Sequence, residues 1–289
     1  MTVMAPSLEQ FVTSDGYQHH VRHWQPEERP VGYVVALHGI QSHSGWYEYS
    51  SGRLCEAGFD VSFADRRGSG LNTQQRGHAR HQDRLINDVL QLLTDVRERR
   101  NVESPTAPVI VLGLSWGGKL AAIAASRRSE LVDGLALLYP GIFSHFETSW
   151  WDNLRLTAAK ATEQQERRIP IPLDDPQLFT SQPEWQQFIR DDEKTLSEVT
   201  VSFLLANREL DRIARDCGPE IRCPSLLMLA GKDRIIDNDA VCAWFETLAT
   251  PETKIVRYME ASHTLEFEED RELFVQNLLT WMGEVQQTT

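Results

Sequence analysis

Short runs of β-branched and apolar residues alternate along the chain with longer segments whose apolar positions recur at helical spacing. That rhythm predicts a mostly parallel sheet covered by helices on both faces, the α/β class. It opens with a hairpin from Phe11 to Trp24, turning at Asp15-Gly16. Buried strands are expected from Tyr33 to Leu37, running into His38-Gly39, and from Asp60 to Ala64, running into Asp65. A helix from about Gln82 to Arg99 leads to a strand from Val109 to Leu112, a helix after Ser115, and a strand from Leu135 to Tyr139 closing at Pro140-Gly141. From Gly141 to about Arg222 the rhythm stops, giving way to tryptophans, charged helical stretches and the segment Ile169-Pro170-Ile171-Pro172. An inserted helical cap over 141–222 is expected, interrupting a core made of 1–140 and 223–289. The rhythm resumes with a strand from Ser225 to Ala230, a helix from about Asn238 to Leu248, a strand from Lys254 to Met259 and a last amphipathic helix from about Asp270 to Val285.

Composition narrows what this architecture is for. A chain of 289 residues, 41% hydrophobic and 25% charged, has enough apolar surface for one substantial core carrying an insertion. A net charge of -13 repels nucleic-acid phosphates and anionic headgroups unless cations cluster locally. The two densest basic runs, around Arg97–Arg100 and Arg127-Arg128, fall at the C-terminal ends of predicted helices, where they complement the dipole. The four cysteines form no CxxC pair and have no histidines at zinc-ligand spacing, so free thiols and no metal site are expected. No stretch near 18 consecutive apolar residues occurs, and Met1 to Gln10 lacks the pattern of a signal peptide. A soluble, cytoplasmic protein acting on a small molecule is the expectation, with no cofactor and at most transient contact with a lipid surface.

The chemistry is signalled at Gly113-Leu114-Ser115-Trp116-Gly117, a G-x-S-x-G element set between an apolar strand and an alanine-rich helix. A sharp strand-to-helix turn pushes the serine side chain into the cleft, and glycine two residues to either side tolerates the crowding. Serine capping the following helix is the bland alternative. As a nucleophile, Ser115 needs a base and a group that fixes the base's tautomer, and on such a sheet these follow in the order serine, carboxylate, histidine. After the strand ending at Ala230 come Asp233 and Asp237. Asp233 is the better placed, three residues beyond the strand, whereas Asp237 with Asp239 suits the start of the next helix. Of nine histidines, His263 alone lies in the loop after the last strand. His19, His20 and His23 belong to the opening hairpin, His78 and His81 precede the nucleophile, and His145 falls in the insertion, where it is a candidate for substrate contact.

Acyl transfer also needs donors for a developing oxyanion. The backbone N–H groups of Trp116 and Ile40 are the candidates, with His38 bracing the loop by hydrogen bonding. The turn Asp65-Arg66-Arg67-Gly68-Ser69-Gly70 reads as a structural Asp65–Arg67 contact and not as a phosphate cradle.

Taken in order, His38-Gly39, Asp65-x-Arg67-Gly68-x-Gly70, Gly113-x-Ser115-x-Gly117, Gly231-x-Asp233 and His263 resemble the α/β-hydrolase superfamily, in particular its monoacylglycerol lipase and lysophospholipase-like branch. The likeness covers nearly the whole chain. His43-Ser44-Gly45 and Tyr47 match that branch's oxyanion loop, while Gln41-Ser42 and Trp46 depart from it. The resemblance implies hydrolysis of an acyl ester under a helical cap. Phe143, Trp150 and Trp151 near the start of the insertion, and Phe179, Trp185, Phe188 and Phe203 further in, either line an acyl tunnel or form the cap's own core. A proline-iminopeptidase-like aminopeptidase is the nearest rival, although His38-Gly39-Ile40-Gln41-Ser42 is not the HGGPG of those enzymes. Thioesterase, perhydrolase and acyltransferase chemistry share the acyl-serine intermediate, and a non-catalytic binding protein on the same scaffold is a further alternative.

Overall fold

The computed structural model describes residues 4–146 and 164–288. Its strands are β1 (Ser7–Val12), β2 (Gln18–Trp24), β3 (Gly32–Leu37), β4 (Phe59–Ala64), β5 (Val109–Leu114), β6 (Gly134–Leu138), β7 (Arg168–Pro170), β8 (Glu198–Thr200), β9 (Ser225–Ala230) and β10 (Thr253–Tyr258). Eight of them form one sheet in the order β1-β2-β4-β3-β5-β6-β9-β10, and β7 and β8 pair separately. Strand β2 runs antiparallel to β1 and β4, and every pairing from β4 to β10 is parallel. Strands β3, β5, β6 and β9 are buried along their whole length, which is why they read as continuous apolar runs and not as alternating ones.

The described α-helices are α1 (Glu48–Glu56), α2 (Gln82–Glu103), α3 (Gly117–Arg127), α4 (Pro183–Asp191), α5 (Val201–Asp216), α6 (Asn238–Phe245) and α7 (Arg271–Thr288). Helix α1 packs with α7, while α2 and α5 pack on α3 and on each other. The hairpin turns at Gly16, whose φ of 80° suits glycine. Helix α1 went unanticipated because its buried face is Ser50, Ser51, Gly52, Leu54 and Cys55, too weakly apolar to register as a stripe. Helix α5 lies in the stretch where the strand–helix rhythm fades, yet it carries a regular apolar face of Phe203, Ala206, Leu210 and Ala214 and lies against α3.

Candidate active site

Strand β5 delivers Ser115 at the centre of the sheet. The residue adopts φ 49°, a left-handed conformation costly for any residue but glycine. It is held there by its own peptide groups. The Ser115 N–H donates to the Leu138 carbonyl at 3.0 Å, and the Ser115 carbonyl accepts from Gly118 N–H at 2.9 Å and Gly141 N–H at 2.7 Å. The flanking glycines are obligatory by packing. A Cβ on Gly117 would stand 2.2 Å from the Leu37 carbonyl oxygen, and one on Gly113 2.7 Å from Gly118 Cα. Helix α3 starts beyond the serine, with Trp116 at its N-cap and no side-chain cap bond, so the hydroxyl is not spent on capping.

The Ser115 Oγ lies 2.9 Å from Nε2 of His263, and Nδ1 of His263 lies 2.7 Å from Oδ2 of Asp233. A carboxylate at Nδ1 fixes the proton on that nitrogen and leaves Nε2 as the acceptor for the serine O–H. The other Asp233 oxygen accepts from Ile235 N–H at 2.8 Å and Ile236 N–H at 3.0 Å, which locks the carboxylate in its loop after β9. Asp237 instead accepts from Ala240 N–H at 3.0 Å and caps α6. His263 is 1% exposed. The rings of Tyr139, at 4.7 Å, and Phe179, at 5.9 Å, stand edge-on against it. Neither was singled out from sequence as a partner of His263. The one signal was position, since Tyr139 follows β6, the strand beside the Ser115 turn.

The His38–Tyr47 loop lies against the serine, so that a Cβ on Gly39 would stand 3.3 Å from the Ser115 Cβ. His38 braces this loop. Its Nε2 accepts from the Arg66 N–H at 2.8 Å, so Nδ1 carries the proton and donates to the Gly39 carbonyl at 2.8 Å. Burial, and then the Arg66 cation, lower the His38 pKa to about 3, so the ring is neutral and keeps this arrangement near neutral pH. Asp65, fully buried, accepts from Ser44 N–H at 2.8 Å, Ser44 Oγ at 2.6 Å and Leu71 N–H at 2.8 Å. The expected Asp65–Arg67 contact does not form. Arg67 turns instead to Asp88 at 2.8 Å and Asp15 at 3.1 Å, with its guanidinium 4.0 Å above the Tyr17 ring. Peptide N–H and hydroxyl donors from two loops satisfy the Asp65 carboxylate, leaving the cation to tie α2 to the hairpin turn.

Of the expected substrate-contacting residues, Phe143 is half-buried beneath the Arg215 guanidinium at 4.8 Å. His145 is exposed and lines a groove of about 320 Å³ with Asp233, Asp237, Asp239 and Arg257. Trp150 and Trp151 lie outside the described residues. The aromatics further along cluster with the core. Phe179 meets Trp46 at 5.8 Å, Trp185 stacks on Phe267 at 4.7 Å, and Phe203 stacks on Trp116 at 5.7 Å. Asp192 binds this region to the His38–Tyr47 loop, accepting from Trp46 Nε1 at 2.8 Å and bonding His43 Nε2 at 2.9 Å. Glu266, three residues past His263, accepts from Ser50 N–H at 3.0 Å, and burial pushes its carboxyl up to about 7.

The chain is similar to known proteins over nearly its full length. Residues 28–270 match the family model Hydrolase_4, described as serine aminopeptidase, S33. A monoglyceride lipase of Rattus norvegicus is 25% identical over 280 residues, spanning 96% of this chain and 90% of the relative. An uncharacterized abhydrolase domain-containing protein of Dictyostelium discoideum is 23% identical across 97% of this chain, which spans only 29% of that longer relative. Among solved structures, a soluble variant of monoglyceride lipase from Saccharomyces cerevisiae, in complex with a substrate analogue, superposes with a TM-score of 0.84 at 16% identity, covering 98% of this chain and 96% of the other. The family match across most of the sequence and the shared fold lead to one conclusion: the chain belongs to the α/β-hydrolase family described as serine aminopeptidase, S33, on its monoglyceride-lipase-like branch.

Proposed function

We propose that this protein hydrolyses carboxylic esters through an acyl-serine intermediate, with Ser115 as nucleophile, His263 as base and Asp233 as the group that orients the base. The observation that carries the reading is the continuous hydrogen-bonded chain from Ser115 Oγ through His263 to Asp233, at 2.9 and 2.7 Å. In the first half-reaction Ser115 Oγ attacks the ester carbonyl while His263 Nε2 takes its proton. The backbone N–H groups of Ile40 and Trp116 receive the oxyanion, each lowering the barrier by roughly 3 kcal/mol. Collapse of the tetrahedral species expels the alcohol, which leaves with the proton held on His263. Water then attacks the acyl group with His263 again as base, releasing the carboxylic acid and restoring Ser115.

The substrate we propose is a monoacylglycerol, a lysophospholipid or a similar ester with a medium or long acyl chain. Support comes from the lipase relatives and from the aromatic side chains between the 141–222 region, which we read as the cap, and the core formed by 1–140 and 223–289. Measuring kcat/KM across p-nitrophenyl esters from acetate to palmitate tests it: a maximum beyond butyrate is expected, and a monotonic fall from acetate defeats the acyl-chain assignment. Covalent labelling by a fluorophosphonate tests the chemistry, and folded protein left unmodified at Ser115 defeats the hydrolase reading in favour of a binding protein. The family description keeps an aminopeptidase as the second reading, since the same acyl-serine chemistry cleaves amides. Release of 4-nitroaniline from amino-acid nitroanilides faster than nitrophenol from esters is the outcome that favours it.

A further inference from the structure

Arg66 is a buried cation that the proposed mechanism leaves unused. The residue is 9% exposed, and its Nε and Nη1 have no hydrogen-bond partner among the described residues. Such a group costs stability unless it does something an apolar side chain cannot. Burial above all, with the Arg76 charge adding to it, draws its pKa down to about 9, which still leaves it charged at neutral pH. Its contacts are specific. Nη2 donates to the Ile40 carbonyl at 2.8 Å, and the guanidinium lies 4.6 Å from the centre of the Trp116 ring and 5.1 Å from that of Phe203.

Ile40 and Trp116 are the two residues whose N–H groups the hydrolase reading assigns to the oxyanion. Each of those N–H groups shares a peptide plane with the carbonyl before it, and both carbonyls are pinned from behind. The Gly39 carbonyl accepts from His38, and the Ser115 carbonyl accepts from Gly118 and Gly141. What those bonds do not span is the gap between Ile40 and Trp116. Arg66 bridges it, because one end of its planar fork holds the Ile40 carbonyl while its face packs on Trp116. We infer that Arg66 is a positioning residue that spaces the two halves of the oxyanion hole through simultaneous contact with Ile40 and Trp116. The inference rests on the hydrolase reading proposed above. A lysine at the same place reaches the carbonyl or faces the ring, but its point charge does not do both.

The experiment compares Arg66→Met and Arg66→Lys with wild type on p-nitrophenyl butyrate. For Arg66→Met a ten- to hundredfold fall in kcat is expected with KM within threefold, together with a thermal midpoint equal to or above wild type. For Arg66→Lys a fall in kcat of at least fivefold is expected with KM within twofold. Affinity for phenylboronic acid, which forms a tetrahedral serine adduct, should drop in parallel with kcat. A loss confined to KM, or wild-type kcat in either folded variant, overturns the assignment. Should Arg66→Met not fold, Arg66→Lys decides alone by the same criteria. Failure of the hydrolase reading looks different: wild type itself is then inert toward esters and unlabelled by fluorophosphonate.

Discussion

At the scale of single residues, the structure separates groups that are strained from groups that are merely buried. Ser115 at φ 49° sits where only glycine is relaxed, a cost of about 1 to 3 kcal/mol for other residues. Ser115→Ala keeps that strain and loses the hydroxyl, so esterase activity should vanish with a thermal midpoint close to wild type. Ser115→Gly should be equally inactive but about 1 kcal/mol more stable than the alanine variant by chemical denaturation; equal stabilities would mean the turn stores no strain. Glu266 makes the opposite case. Burial raises its carboxyl from 4.5 to about 7, so between those values the unfolded chain has released a proton that the folded protein keeps. The stabilising linkage is therefore complete below pH 4.5 and is lost as pH rises through 7, by at most roughly 3 kcal/mol. Glu266→Gln should flatten the stability profile between pH 5 and pH 8, and an unchanged slope would show that the carboxyl ionises freely when folded.

At the scale of elements, the strand ends deliver the chemistry and the loops between them are cross-tied. The ordered motifs were readable because each belongs to a turn with its own steric demand: glycine at 113 and 117, a carboxylate just past β9, and a histidine past β10. What escaped were the sequence-distant contacts that no motif marks. Asp192 follows α4 by one residue and carries no motif, yet it accepts from Trp46 Nε1 at 2.8 Å and Thr195 Oγ1 at 2.8 Å and bonds His43 at 2.9 Å. Burial works against its charge, but the His43 and Trp46 bonds outweigh this and hold its pKa below the usual carboxylate range. Its contribution is thus present above pH 3.8 and is lost only as pH falls further. Asp192→Ala should cost about 2 kcal/mol at pH 7 by urea denaturation, because Trp46 Nε1 is left buried without a partner. A change under about 0.5 kcal/mol would mean that solvent replaces the carboxylate. Arg66 escaped for a related reason, since the Asp65–Gly70 motif promised a local Asp65–Arg67 contact while both side chains found distant partners.

For the whole molecule, the α/β alternation was legible because buried parallel strands leave unmistakable apolar runs. Helices whose buried faces are small or polar, α1 above all, left no such trace. Among the described residues no helix is long and apolar enough to cross a membrane. The net charge of -13 bears on any substrate presented at a lipid surface. Hydrolysis of monoacylglycerol dispersed in phosphatidylglycerol vesicles should be slower than in phosphatidylcholine at low salt, and the gap should close as ionic strength approaches 1 M, where screening acts within about 3 Å. A preference for the anionic vesicles would point to local cations that outweigh the overall charge. One further consequence follows from the order of strands. The proposed nucleophile directly follows β5, which has sheet on both sides, while the proposed base lies in the loop after β10, which among the described residues pairs with β9 alone. Loops open at lower free energy than core strands, so catalysis in this architecture is expected to fail on warming by the proposed base drifting away while the middle of the protein is still intact.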